Sequence, residues 1–269
     1  MKANIYRHEF RTRLRSVVNW SLAVTAIVVI YFYFFSVFAD QAALLNEMLE
    51  NFPQQLRSAF GMDKADLSTV LGYYSLIFLF VQICLAIQAS NYGFGLVSIE
   101  ESELTADFLL SKPVSRWEVL SSKLLAALTS LIITDLVLGA SSFAAIALFR
   151  AGRDYEPGVI LLLLLSSVIF QIFFLSVGLV VSLLVRRVRS VTPYALGLGF
   201  GAYVLSAFSG MLGDVKLELV TPFKHFDAAQ IVQNGAYDTP LVLLNVAVTL
   251  LSVAASYWLY IHRDIPSVS

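Results

Sequence analysis

Six long apolar stretches, at roughly Val17–Phe38, Val70–Ser90, Trp117–Phe149, Val159–Val185, Val191–Leu212 and Leu241–Ile261, leave this chain few ways to fold. A helix needs about 20 largely apolar residues to cross the hydrocarbon core of a bilayer, and each stretch supplies them. Lipid admits only helices and closed barrels, because every backbone polar group must be satisfied internally. Runs of this length without two-residue alternation select helices. The expectation is an all-α polytopic membrane protein with six spans, forming a single transmembrane domain over residues 1–269. Only 14% of the residues are charged, against about 25% in soluble domains, which agrees with lipid as the solvent.

The first stretch also ends in Val37-Phe38-Ala39, whose small residues fit a signal-peptidase site. Its apolar run is longer than the roughly 7–15 residues of a signal h-region, which favours a retained anchor.

Several chemistries are excluded early. A net charge of −1 gives no reason to expect nucleic acid as a partner. The single cysteine, Cys84, lies inside an apolar stretch and has no intramolecular disulfide partner. His8, His225 and His262 are far apart and form no metal-binding spacing. The phosphate-cradling Gly-x-x-x-x-Gly-Lys-Ser/Thr is missing. No cofactor or catalytic site is expected here, so any ATP that drives this chain is bound by another.

Six spans place both termini on one side. With the N-terminus inside, the cytoplasmic segments hold twelve of the 18 Lys and Arg residues, including Arg7, Arg11, Arg13, Arg15 and the short basic loop Arg186–Arg189. That imbalance supports cytoplasmic termini. The long loops Asp40–Thr69 and Asp214–Thr239 then lie outside. In the first, Ala43–Phe52 has apolar residues at helical spacing, as in an interfacial helix. In the second, Thr221 is placed to cap a turn beginning at Pro222. Both have a plain reading as surface helices, beside one as substrate contacts.

The charged segment Ser98–Arg116 surfaces on the cytoplasmic side. Ser98 with Glu101, and Ser115 with Glu118, have capping-box spacing, so a short helix is expected to start at Ser98 and the third span after Pro113. On a helical wheel Glu100, Glu103 and Asp107 share one stripe. Val97, Leu104 and Phe108 form a second stripe about a quarter turn away. Glu101 falls on the apolar side, where solvation alone gives it no purpose. Such a helix suits a groove on another protein. Plain solvation and the helix macrodipole account equally for Glu100 and Glu103, and Arg116 also serves topology.

The order Glu100, Glu101, Thr105, Leu109, Leu110, Pro113, Val114, Ser115, Arg116, Lys123 resembles the cytoplasmic loop of ABC-2 type permeases, the membrane subunits of ATP-driven transporters. Leu104 stands where a Gly often precedes the Thr. Arg7-His-Glu-Phe-Arg11 is similar to the family's basic N-terminal interfacial helix, here residues 1–16. Pro53–Gly61, Pro222–Asp227 and Arg263-Asp264-Ile265 resemble later stretches in the same order. The resemblance implies a type V exporter-like fold and coupling to an ATPase through Glu100, Glu101, Glu103, Leu104, Asp107, Phe108 and Arg116. It also implies a partner ATPase holding ATP and Mg, a second permease copy or similar permease, and a bacterial or archaeal plasma membrane.

Within the spans, Asp135 is an expensive acid that should face the bundle interior or water, in a transport pathway or in a structural hydrogen bond to Gln82, Gln88 or Gln171. Gly197 and Gly201 form a Gly-x-x-x-Gly stripe for close helix packing, between copies or within the bundle. Two rival functions remain. Asp135 would serve a proton-coupled secondary transporter. Glu100-Glu101 is similar to the start of a membrane-protease motif, but Thr105 stands where that motif needs Arg.

Overall fold

The computed structural model describes residues 3–41, 51, 53, 57, 65–102, 114–185, 188, 190–212 and 215–262. Every regular element among them is a helix: α1 (Ala3–Asp40), α2 (Val70–Ser102), α3 (Arg116–Phe149), α4 (Pro157–Leu184), α5 (Val191–Leu212), short α6 (Val215–Glu218), α7 (Pro222–His225) and α8 (Ala228–Asn234), then α9 (Thr239–His262). Six of these, α1 to α5 and α9, are long and apolar enough to cross a membrane. The protein is therefore a six-span, all-α membrane protein.

The hydrophobic pattern decides which helix is central. Tyr74, Phe78, Val81, Leu85 and Ala89 of α2 are fully buried, and so are Ile77 and Ala86 on its two flanks. The span with the widest buried surface belongs in the middle. Accordingly α2 packs on α4 and α5, α1 lies along α3, and α9 lies along α4. The outer helices keep large apolar side chains on their free faces, among them Leu22, Phe200, Leu251 and Trp258. In lipid these positions cost nothing.

Small residues set the closest contact. A Cβ on Gly93 of α2 would stand 2.3 Å from the Leu175 carbonyl oxygen of α4, and one on Gly178 of α4 would stand 3.2 Å from the Ser90 carbonyl oxygen of α2. The two backbones touch where any side chain would separate them. α3 and α4 are joined by a tight turn in which Ala151 (φ 52°) and Gly152 (φ 75°) are left-handed. Beside it, Arg153 donates to Asp40 Oδ1 (3.1 Å) and to the Ser68 carbonyl (3.0 Å), tying the end of α1 to the approach to α2.

Three local expectations are corrected. Ser98 starts no helix: it lies inside α2, and its hydroxyl donates to the Phe94 carbonyl one turn back. Ser-x-x-Glu marks a start only where the preceding chain is not helical, and nothing between Ser90 and Ser98 stops α2, which runs on to Ser102. The N-terminal basic segment is no separate interfacial helix, because α1 continues unbroken for 38 residues. Thr221 stands at the N-cap of α7 but makes no side-chain cap bond, donating instead to the Ala202 carbonyl of α5 at 3.1 Å. Nearly all of Ala43–Phe52 lies outside the described residues.

Candidate functional site

The charged segment emerges between the end of α2 and the start of α3. Glu103, Leu104, Asp107 and Phe108 lie outside the described residues. Glu100 and Glu101 fall in the last turn of α2, with their side chains likewise outside the description. The surrounding frame is well described. Ser115 caps α3 with both halves of the capping box in place: its hydroxyl accepts from the Glu118 N–H, and the Glu118 carboxylate accepts from the Ser115 N–H. Next to it, Arg116 donates to the carbonyls of Tyr260 (3.1 Å) and Ile261 (3.0 Å) at the end of α9. Carbonyls in the last turn of a helix lack intrahelical donors and carry partial negative charge, so a guanidinium is a fitting cap. Trp117 and Tyr257 stack with centroids 4.0 Å apart, and Ser121 and Tyr257 share a hydroxyl bond of 2.8 Å.

Two turns into α3 is the feature sequence reasoning undervalued. Lys123 is only 2% exposed, and its Nζ lies 3.7 Å from Glu9 Oε1. The same ammonium donates to the Leu96 carbonyl of α2 at 2.6 Å. Glu9 also pairs with Arg13 at 3.0 Å, and the Arg13 guanidinium sits 5.8 Å over the Tyr92 ring of α2. The Tyr92 hydroxyl in turn donates to Ser16 Oγ at 3.2 Å. A buried ion needs partners to offset its desolvation, and here α1 and α2 supply them to α3. Lys123 thus pins the start of α1 and the end of α2 to the start of α3. A signal was available: a Lys in an apolar span demands a partner, and Glu9 is the one acid in residues 1–39.

Asp135 of α3 turns toward α4. Its Oδ1 accepts from Ser167 Oγ and Gln171 Nε2, both at 3.1 Å. Gln171 is one of the three partners foreseen; Gln82 donates instead to the Phe226 carbonyl (2.9 Å) and Gln88 to Thr134 Oγ1 (2.9 Å). Asp135 Oδ2 and Gln171 Oε1 are both buried without a hydrogen-bond partner among the described residues. A polar seam therefore runs between α3 and α4 within otherwise apolar packing.

At the opposite end, α7 seals the bundle between α5 and α9. His225 Nε2–H donates to the Leu219 carbonyl (3.2 Å), leaving Nδ1 to accept from Asn245 Nδ2 of α9 (3.3 Å). Burial holds the imidazole below its ordinary pKa, against opposing hydrogen bonds to the Leu219 and Glu218 backbone and the charge of Asp238.

The α5 glycines divide. Gly199 faces inward, where a Cβ would stand 2.9 Å from the Ile87 backbone nitrogen, while Cβ atoms on Gly197 and Gly201 would meet nothing within 4 Å. Gly197 also lines an apolar groove with Phe94, Val181, Pro193, Tyr194 and Leu198. Packing within this bundle is the work of Gly199; the Gly197–Gly201 stripe faces outward.

No group of three His, Cys, Asp or Glu side chains among the described residues is placed to hold a metal ion. A family model described as ABC-2 family transporter protein matches residues 3–265. A search of curated proteins finds no match. With nearly its whole length matched, the chain belongs to the ABC-2 transporter family, as a membrane component and not the catalytic unit.

Proposed function

We propose that this ABC-2 family member is the permease subunit of an ATP-driven exporter, coupled through Ser98–Arg116 to a separate ATPase chain that holds ATP and Mg. The reading rests chiefly on the Lys123 cluster. The two helices that carry the charged segment, α2 and α3, are clamped to each other and to α1 by an ion that is costly to bury. Arg116 adds α9 to the same frame. A push on the segment from outside the membrane would move four spans together instead of bending one. Glu100, Glu101, Glu103, Leu104, Asp107 and Phe108 are the residues assigned to meet the ATPase.

The functional unit is taken as two such chains, or one with a similar permease, paired through the outward Gly197–Gly201 stripe. Because a six-span topology puts twelve of the 18 basic residues in the segments on the side of the N-terminus, that side is assigned to the cytoplasm, in a bacterial or archaeal plasma membrane. Asp135, with one buried oxygen that has no hydrogen-bond partner among the described residues, is the observation that favours the proton-coupled alternative.

The test is co-purification. The chain expressed with an ATPase encoded beside it should yield a complex that hydrolyses ATP, while the chain alone should hydrolyse none. ATP hydrolysis by the chain alone would overturn the reading.

A further inference from the structure

Glu9 is the one acid in residues 1–39 and is turned inward onto Arg13 and Lys123, so among the described residues no acid of α1 compensates the positive charge on its outer face. Arg7, Arg11 and Arg15 are all exposed on that face. Residues four apart advance only about 40° around a helix, so the three arginines cover an arc of roughly 80°. The same arc, followed along α1, carries Val18, Leu22, Val29 and Tyr33, all exposed. On a helix long and apolar enough to span a membrane, exposed apolar side chains of this kind are the ones open to acyl chains. The arginines therefore continue the lipid-facing line of the helix past the edge of the hydrocarbon.

Depth agrees with that alignment. Measured from Val17, the first residue of the apolar run, Arg15, Arg11 and Arg7 stand about 3, 9 and 15 Å along the axis. The headgroup zone is roughly 5–8 Å deep on each side, and an arginine stem leans several ångströms toward it. Arg15 and Arg11 reach this zone, and Arg7 stands at its outer margin. A guanidinium presents a planar fork that matches a phosphate in two hydrogen bonds.

We infer that the Arg7–Arg11–Arg15 face of α1 is a binding surface for the phosphates of anionic phospholipids. Lipid is preferred to an acidic protein surface because these arginines lie in line with side chains that already face lipid. The inference is independent of whether an ATPase couples to this chain.

The test uses the full purified chain, titrated with phosphatidylglycerol or phosphatidylcholine and followed by native mass spectrometry. The wild type should prefer phosphatidylglycerol by at least about 5-fold, the effect of one basic residue near an anionic surface. Replacing Arg7, Arg11 and Arg15 together by Gln should abolish the preference. Arg11→Gln alone should lose part of it, and the triple Lys variant should retain part of it. Gln is a good helix former, and far-UV circular dichroism checks that α1 persists. An unchanged preference in both Gln variants would overturn the inference. So would a wild type that takes up both lipids equally.

Discussion

Replacing Glu9 by Gln would take the Glu9 carboxylate away from a Lys123 ammonium that is 2% exposed. The Leu96 carbonyl at 2.6 Å would keep its geometry. Breaking a buried pair from the side that leaves the deeper charge behind costs about 3–5 kcal/mol. The contact here is long at 3.7 Å, so the lower end, about 3 kcal/mol, is expected. Lys123→Met is milder. It leaves Glu9 14% exposed and still 3.0 Å from Arg13, and the lost charged hydrogen bond is worth about 2 kcal/mol. The double variant removes both charges and strands neither, so it should cost about 3 kcal/mol instead of the summed 5, a coupling of about 2 kcal/mol. In a chain of this size Glu9→Gln would lower Tm by roughly 6–12 °C. The assay is thermal unfolding in nanodiscs, read by tryptophan fluorescence, with Trp117 within two turns of Lys123 on α3. Costs that add to within about 0.5 kcal/mol, or a wild-type Tm for Lys123→Met, would show that the ions do not clamp the helices.

Three further outcomes follow from particular contacts. Gly93→Ala would put a Cβ 2.3 Å from the Leu175 carbonyl oxygen and should cost about 3 kcal/mol or more, whereas Gly197→Ala, with open space around it, should leave the single chain as stable as wild type and weaken pairing. Unfolding and crosslinking measurements separate the two, and a stable Gly93→Ala would refute the close crossing. Asp135→Asn keeps an acceptor for Ser167 and Gln171 and offers a donor to the unpartnered Gln171 oxygen, so folding and assembly should survive while transport falls; wild-type transport would make the acid dispensable. The imidazole of His225 has a folded pKa below the ordinary value of 6.5, so the unfolded chain takes up its proton first as pH falls. This contribution is present above about pH 6.5 and is lost below it, and His225→Gln should flatten the decline in Tm; an identical decline in the variant would place the cause elsewhere.

The six spans were legible because apolar length is a one-dimensional property: Val191–Leu212 ends in the structure where the sequence ends it. Ser115 with Glu118 was legible for the same reason, since a capping box closes within three residues. Ser98 with Glu101 has the same letters and failed, because a cap also requires the preceding backbone to be non-helical, and α2 was still running. Lys123 and Glu9 are separated by more than a hundred residues: a Lys in an apolar span announces that it needs a partner, but which acid serves follows from the packing of α1 along α3. Gln171 was one of three candidates for Asp135; choosing among them needed the rotation of α4 about its axis, which period alone does not supply. The direction of Gly197 and Gly201 was open for the same reason, until Gly199 was found against Ile87.

No residue of α1 from Ala3 to Asp40 is Gly or Pro, the residues at which helices bend most sharply. At 1.5 Å per residue its 38 residues make a rod of about 57 Å. Its near end is gripped through Glu9 and its far end through Asp40. A rod without a joint converts angle into distance: a tilt of about 5° sweeps the far tip through about 5 Å, close to one helical turn. The Asp40–Arg153 contact of 3.1 Å would not survive such a sweep unless the α3–α4 turn travelled with it. α1 is thus a lever arm whose two ends cannot report different states.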